Sequence, residues 1–552
     1  MITGDLNVID DVHLRNVMAR GVKFRIPQFL PWNKVKADLV TCVKTHADKM
    51  SKVFKIDRDR FDDWEGETID LICKRIKRLK YCENVFERKF TSIRSLDESI
   101  KCMHDHFVIV PVDKAANNFA VICKKLYINI MLEELGFDLN SLVPVGNATY
   151  SVSSEGSSEI VDRHCSLVKS FGINCSDDCK KLPKLFCIPK FHKSPYKFRF
   201  IAGARKCTST QLSVVLNKGL SLIRDFFKLY CEAIQKNSGF RCFWSIKSTE
   251  EFLNVANNKN NVFSIQVFDF STLYTNLNHE DICAHLLSLL ELVFNSTSRK
   301  FLCVGFNKTF FAGKTYKGYH CFSLEMLKSA IKFVISEVFV VFGGLAFKQV
   351  RGIPMGGNCS PMLADLFLCH CEFVFMKSLV SNKKFGLARL MSCTTRYIDD
   401  ICLFNYKHFD TLVTKIYPAD LKAERNGTDN TSVEYLDVKL NICSDGLHTS
   451  VFHKVEQFCF DVIVFTFPDS LLPLHMGANV FASQVLRYLR ICSHLPYAIV
   501  KAKSTFKVFV KRGYEACKLI KCMERLLKKH FLVLFKFGLQ SAREFCILCG
   551  FI

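Results

Sequence analysis

Along this chain, apolar and polar residues alternate with period two in some stretches and recur at helical spacing in others. The stretch "HFVIVPVDKAANNFAVICKK" (106–125) predicts two strands around a polar turn. "LPKLFCIPKFHKSPYKFRFIAGA" (182–204) predicts a second hairpin, with Pro195 in its turn and Lys190, Lys193, Lys197 and Arg199 along it. "FSIQVFDFSTLYTNL" (263–277) reads as a strand running into a turn and a helix. "VRGIPMGGNCSPMLADLFLCHCEFVFM" (350–376) reads as a Gly/Pro loop followed by a long apolar helix. "TRYIDDICLF" (395–404) is strand-like, and "VEYLDVKLNI" (433–442) alternates as a single strand. Helical spacing dominates residues 1–100, where "LICKRIKRLK" (71–80) sets basic residues among apolar ones. It returns after 446, where a short strand region leads into a basic helical tail.

Length and composition narrow the class. A chain of 552 residues, 49% of them hydrophobic, can bury several cores, and its length suggests roughly three or four domains. The net charge of +23 points to a polyanionic partner, nucleic acid or an acidic surface. The 27 cysteines are an odd number scattered through apolar stretches, and "MITGDLNVIDD" does not read as a signal peptide. Reduced, mostly packed thiols in an intracellular protein are therefore expected. The longest apolar run, "VFVVFGGLAF" (338–347), lies between Glu337 and Lys348 and is too short to span a bilayer. No membrane segment is expected.

Two adjacent acids, Asp399 and Asp400, interrupt the apolar run at 395–404. They could be no more than the solvated tip of a tight hairpin. A carboxylate pair on a rigid turn is also suited to divalent metal ions. Asp269 closes the strand "SIQVF" well upstream, and together the three acids fit a two-metal site. Two ions about 4 Å apart can clamp the attacking and leaving oxygens of a phosphoryl displacement. The loop Gly-Ile-Pro-Met-Gly-Gly (352–357) would then let the backbone approach a nucleotide or a template base. Alone, it would read as an ordinary helix entry, with Pro354 and Ser360 as turn residues.

The order of these features resembles the palm-type reverse transcriptases. The combination of "LRNVMARGVKFR", "VPVDKAANNFAVICKK", "FDFSTLYTNL", "GIPMGGNCSPMLADLFL", "RYIDD" and "VEYLDVKL" is similar to Penelope-like retroelement reverse transcriptases, which are relatives of telomerase. That resemblance implies an α+β, right-handed polymerase: a basic helical RNA-binding-like extension (1–100), fingers (101–255), palm (256–445), and primer grip with helical thumb (446–552). It implies RNA-templated transfer of deoxynucleotides to a primer 3′-hydroxyl, with two Mg2+ ions for which Mn2+ could substitute. Asp269, Asp399 and Asp400 would be the catalytic, metal-binding carboxylates, Asp400 contributing least. Lys190 and Arg199 would hold the triphosphate; Phe270, Tyr274, Met355 and Gly356 would lie near the nucleotide, with Tyr274 excluding a ribose 2′-hydroxyl. Lys422 would protonate the leaving pyrophosphate. Lys454, within the grip "LHTSVFHK", and Arg487, Arg490, Lys503, Lys507 and Lys511 would contact nucleic acid.

The charge of the tail supports a nucleic-acid role on its own. Residues 501–530 carry ten Lys/Arg against two Glu, and Lys503, Lys507 and Lys511 share one face at i, i+4 spacing. A solvated surface helix is the plainer alternative. Cys546 and Cys549 form a lone CxxC, read as two buried thiols rather than a zinc site. "CMHDHF" is likewise read as strand entry rather than as ligands. No GIY-YIG nuclease is recognised, so the primer is expected from a separate endonuclease, a nick or a chromosome end. The expected partners are an RNA template, a DNA primer and dNTPs, and the expected location is the nucleus. An RNA-dependent RNA polymerase and a decayed, non-catalytic nucleic-acid-binding remnant remain alternatives.

Overall fold

The computed structural model describes residues 2–25, 32–54, 56–78, 93–146, 149–259, 261–271, 273–458, 460, 462–473 and 475–552. The basic run at 71–80 lies on helix Asp62–Arg78; its last two residues fall outside the described ones. Helices Trp32–Phe54 and Ile93–His106 complete the helical pattern of the N-terminal part. Residues Ile2–Thr3, however, pair antiparallel with strand Ala115–Cys123, so the extension begins inside a sheet. That strand forms the expected hairpin with Phe107–Val112.

The basic hairpin, Lys184–Lys190 with Lys197–Gly203, forms the edge of a five-stranded sheet. Strand Phe339–Phe342 runs parallel beside Lys184, with Leu345–Gln349 and Tyr150–Val152 following. Strands 339–349 lie far downstream in sequence, so the parts assigned to residues 101–255 and 256–445 interleave in space.

A four-stranded antiparallel sheet forms the centre, in the order Thr395–Tyr397, Asp400–Phe404, Ile265–Phe270, Ala423–Arg425. Its two faces follow the strand alternation. Phe268, Phe270, Ile401 and Leu403 join one core with helices Thr210–Ser238, His279–Thr297 and Ser360–Ser381. Ile265, Val267, Cys402 and Phe404 join a second core with the C-terminal helices. Helix Ser360–Ser381 is apolar around most of its circumference because most of it is buried.

The expected strand at 433–442 is instead a tight hairpin, Ser432–Tyr435 with Val438–Cys443, extended by Gly446–Val451. Leu436 makes the turn with a positive φ of 58°. Helices His475–Ile491 and Leu495–Lys511 then pack on this sheet, and Ala516–Lys529 packs against His475–Ile491. Cys546 and Cys549 are buried in that core, as expected for packed thiols. Among the described residues, no helix is long and apolar enough to cross a membrane.

Candidate active site

The two central strands meet where the acids lie. Asp400 is the cross-strand partner of Asp269, so both side chains leave the same sheet face. Tyr397 pairs with Asp400, which makes Ile398 and Asp399 the two turn residues. The Asp-Asp pair is therefore not the turn itself: Asp399 sits at the tip and Asp400 opens the return strand. Ile398 has φ +54°, an unusual conformation for a β-branched residue.

Three successive carbonyls hold the strained turn. Arg396 Nη1 donates to the Ile398 carbonyl (2.9 Å), the Phe270 amide donates to that of Asp399 (3.2 Å), and the Tyr435 hydroxyl donates to that of Asp400 (3.3 Å). Arg396 is itself completely buried. It bonds Asp365 (2.8 Å) and Glu372, both from helix Ser360–Ser381. Arg224 and Ser245 also bond Asp365, at 2.7 and 2.8 Å. Burial works against ionised Asp365, but Arg396 and Arg224 together hold its carboxyl below the usual range. Burial pushes Glu372 up despite its contact with Arg396.

Asp269, Asp399 and Asp400 line one cleft of about 450 Å³. Burial pushes Asp269 up to about 6, and the charge of Asp399 adds to it. Burial, then Asp399 and Asp269, push Asp400 up to about 7. Lys454 and Lys114 counter both shifts. Like charges this close favour protonation or a bound cation. An all-oxygen donor set whose members repel one another is suited to a hard dication such as magnesium.

Cations line the same cleft, among them Lys114, Lys190, Lys193, Arg199 and Lys454. Burial, then Arg199, lower the pKa of Lys190. Arg199 lies 3.4 Å from the buried carboxylate of Asp113. The sequence gives no role to Lys114, Lys193 or Asp113; for Lys114 and Asp113 the one signal is their place in the polar turn "VDKAAN". The paired acids Asp365 and Glu372, one heptad apart in a largely apolar helix, are a readable sign of a buried cation.

Other candidates lie elsewhere. Phe270 faces the helical core, edge-on to Tyr417 at 4.9 Å, because it follows Asp269 on the strand and takes the opposite face. Lys422 is exposed just before strand Ala423–Arg425; its carbonyl accepts from Ser271 (3.2 Å), and its side chain does not line the cleft. Tyr274 is half-buried against the helical core, and burial, then the charge of Asp399, push its phenol up. Arg487 is held by Asp437, with Nε at 2.9 Å. Arg490, Lys503, Lys507 and Lys511 are exposed on the C-terminal helices.

The Gly/Pro loop contacts protein rather than open space. A Cβ on Gly352 (φ +80°) would lie 2.2 Å from the Tyr274 carbonyl, and one on Gly356 (φ +121°) 2.1 Å from that of Ala202. The Met355 carbonyl accepts from the Ala202 amide at 2.7 Å. The glycines thus let one loop join the segment after Asp269 to the strand that carries Arg199.

No protein-family profile and no curated protein matches the chain. Among solved structures, telomerase from Candida albicans in complex with a TWJ fragment of telomeric RNA superposes with a TM-score of 0.52 at 11% identity, over 83% of this chain and 72% of that one. Apo telomerase from Candida tropicalis gives 0.42 at 13% identity, over 99% and 98%. The likeness of fold rests on the first of these: the chain is built on a plan similar to that of telomerase.

Proposed function

We propose that this chain is an RNA-directed DNA polymerase of the Penelope-like retroelement type. The observation that carries the reading is the meeting of Asp269, Asp399 and Asp400 at adjacent strand ends, in a cleft also lined by lysines and Arg199. In this reading the central sheet is the palm, the basic hairpin belongs to the fingers, and the C-terminal helices form the thumb. The quoted sequence motifs support the retroelement assignment, and the telomerase-like fold agrees with it.

The three aspartates would hold magnesium, which when bound supplies positive charge against the attacking and leaving oxygens of the phosphoryl transfer. Lys190, Lys193 and Arg199 bind and orient the triphosphate, Arg199 through its planar guanidinium. Lys454 stands beside the carboxylates, where the primer end would lie. Met355 and Gly356 act indirectly, by holding the strand that carries Arg199. Tyr274 limits the space beneath the nucleotide sugar. The exposed Lys503, Lys507 and Lys511 track the duplex backbone.

Primer extension tests the reading. Purified protein with magnesium, an RNA template and a DNA primer should incorporate deoxynucleotides in preference to ribonucleotides. Preference for ribonucleotides would favour the RNA polymerase alternative. Binding without any extension would favour the decayed remnant.

A further inference from the structure

The hairpin of strands Val438–Cys443 and Gly446–Val451 places Cys443 opposite Gly446 and Asn441 opposite His448. Cross-strand partners project from the same sheet face, so Cys443 and His448 share one face diagonally. Gly446, between them, has no side chain, and a Cβ there would meet no atom within 4 Å. Asp445 closes the third side from the turn. The thiol of Cys443, a carboxylate oxygen of Asp445 and a ring nitrogen of His448 all lie within 4.8 Å of one another.

The setting of His448 separates this group from an ordinary charged turn. Its Nε2 is buried and lies 2.8 Å from Asp445 Oδ1, a contact that holds the Asp445 carboxyl below its usual range. Its Nδ1 faces the Tyr497 hydroxyl at 3.4 Å. The ring of His494 covers it, with centroids 4.0 Å apart, and His494 Nδ1 pairs with the Ser493 hydroxyl at 2.8 Å. An imidazole with one nitrogen facing a hydroxyl and the other beside a carboxylate, with a thiol within 4.8 Å of the ring, is arranged as a metal ligand usually is.

We propose that Cys443, Asp445 and His448 bind a divalent ion of the zinc class. Sulfur and imidazole donors select zinc or cobalt over magnesium, and three protein ligands leave one position for water. On binding, the Cys443 thiol gives its proton to solvent and the thiolate takes its place on the ion. Through Tyr497, the ion would fasten the hairpin tip to the first turn of helix Leu495–Lys511.

The test uses the reduced, chelator-stripped full chain titrated with Co2+, read by thiolate-to-cobalt charge-transfer absorption, with Zn2+ as competitor. The wild type should show a saturable band that zinc abolishes and magnesium leaves unchanged. Cys443→Ser should lose that band, and His448→Ala should weaken binding by roughly tenfold or more. Asp445→Asn, at an exposed position, gives a second variant if His448→Ala fails to fold. Ser444→Ala should bind as the wild type does. Equal amplitude and affinity in the wild type and in the ligand variants would assign the metal to other thiols and overturn the proposal. Displacement by magnesium as effective as by zinc would overturn it too.

Discussion

Arg396→Met removes the group on which the aspartate turn rests. The guanidinium bonds Asp365, Glu372 and the Ile398 carbonyl, and the whole side chain is buried. After the substitution, Asp365 keeps Arg224 and Ser245. Glu372 keeps only the Tyr417 hydroxyl, at 2.9 Å. One buried carboxylate loses its cation, which costs about 3–5 kcal/mol, and Glu372 takes up a proton to limit the loss. The positive φ of Ile398 also loses its anchor; a conformation of that kind stores about 1–3 kcal/mol. Denaturant unfolding should report the stability loss, and single-turnover extension at a temperature where the variant stays folded should report displacement of the carboxylates. The double variant Arg396→Met with Glu372→Gln should recover a substantial part of the stability, because no unpaired charge remains, but not the extension rate, because the Ile398 carbonyl still lacks its anchor. A single variant within about 1 kcal/mol of wild type, or a double variant that regains full extension, would refute this account.

Asp399→Asn should keep fold and nucleic-acid affinity while lowering extension by about a hundredfold or more; near-normal extension by folded protein would end the metal-site assignment. Replacing Lys503, Lys507 and Lys511 with Gln should weaken duplex binding for all sequences and flatten its salt dependence, by up to about one log unit per lost phosphate contact, as filter binding across salt would show. Tyr274→Ala should raise ribonucleotide incorporation while deoxynucleotide extension stays measurable, which extension with each nucleotide on one template would check. Folded, metal-free Asp269 and Asp400 hold protons up to about 6 and about 7, whereas the unfolded chain releases them near 3.9. Their contribution to stability is thus present below the unfolded value and lost as pH rises through about 7. Asp400→Asn should gain about 2 kcal/mol over wild type between about pH 5 and 8, discounted for partial exposure; a difference that does not grow with pH would contradict it.

Strands and hairpins that obey period two were legible from sequence, and so was the joining of Asp269 to the Asp399–Asp400 pair, because strand-end carboxylates are rare enough to stand out. What escaped has local causes. Leu436 and Ile398 adopt left-handed conformations that their side chains do not advertise, so one hairpin read as a strand and the other had its turn misplaced by a residue. Phe270 was a readable error, since strand alternation already set it against Asp269. The spacing of Gly352 and Gly356 suggests room for a nucleotide, whereas they make room for the carbonyls of Tyr274 and Ala202. The pairing of Arg487 with Asp437 links residues distant in sequence, and no pattern near either one signals it.

The central strand Ile265–Phe270 has partners only at Asp400–Phe404 and Ala423–Arg425, and the basic hairpin needs Phe339–Phe342 beside it. On the ribosome, these β-rich segments therefore emerge long before anything can cover their edges. Unpaired edges of this kind template intermolecular pairing. Stalled or prematurely terminated translation before residue 425 would release chains that expose the strand carrying Asp269. Recovery of soluble protein should then depend more on elongation rate and chaperone supply than on the stability of the finished fold.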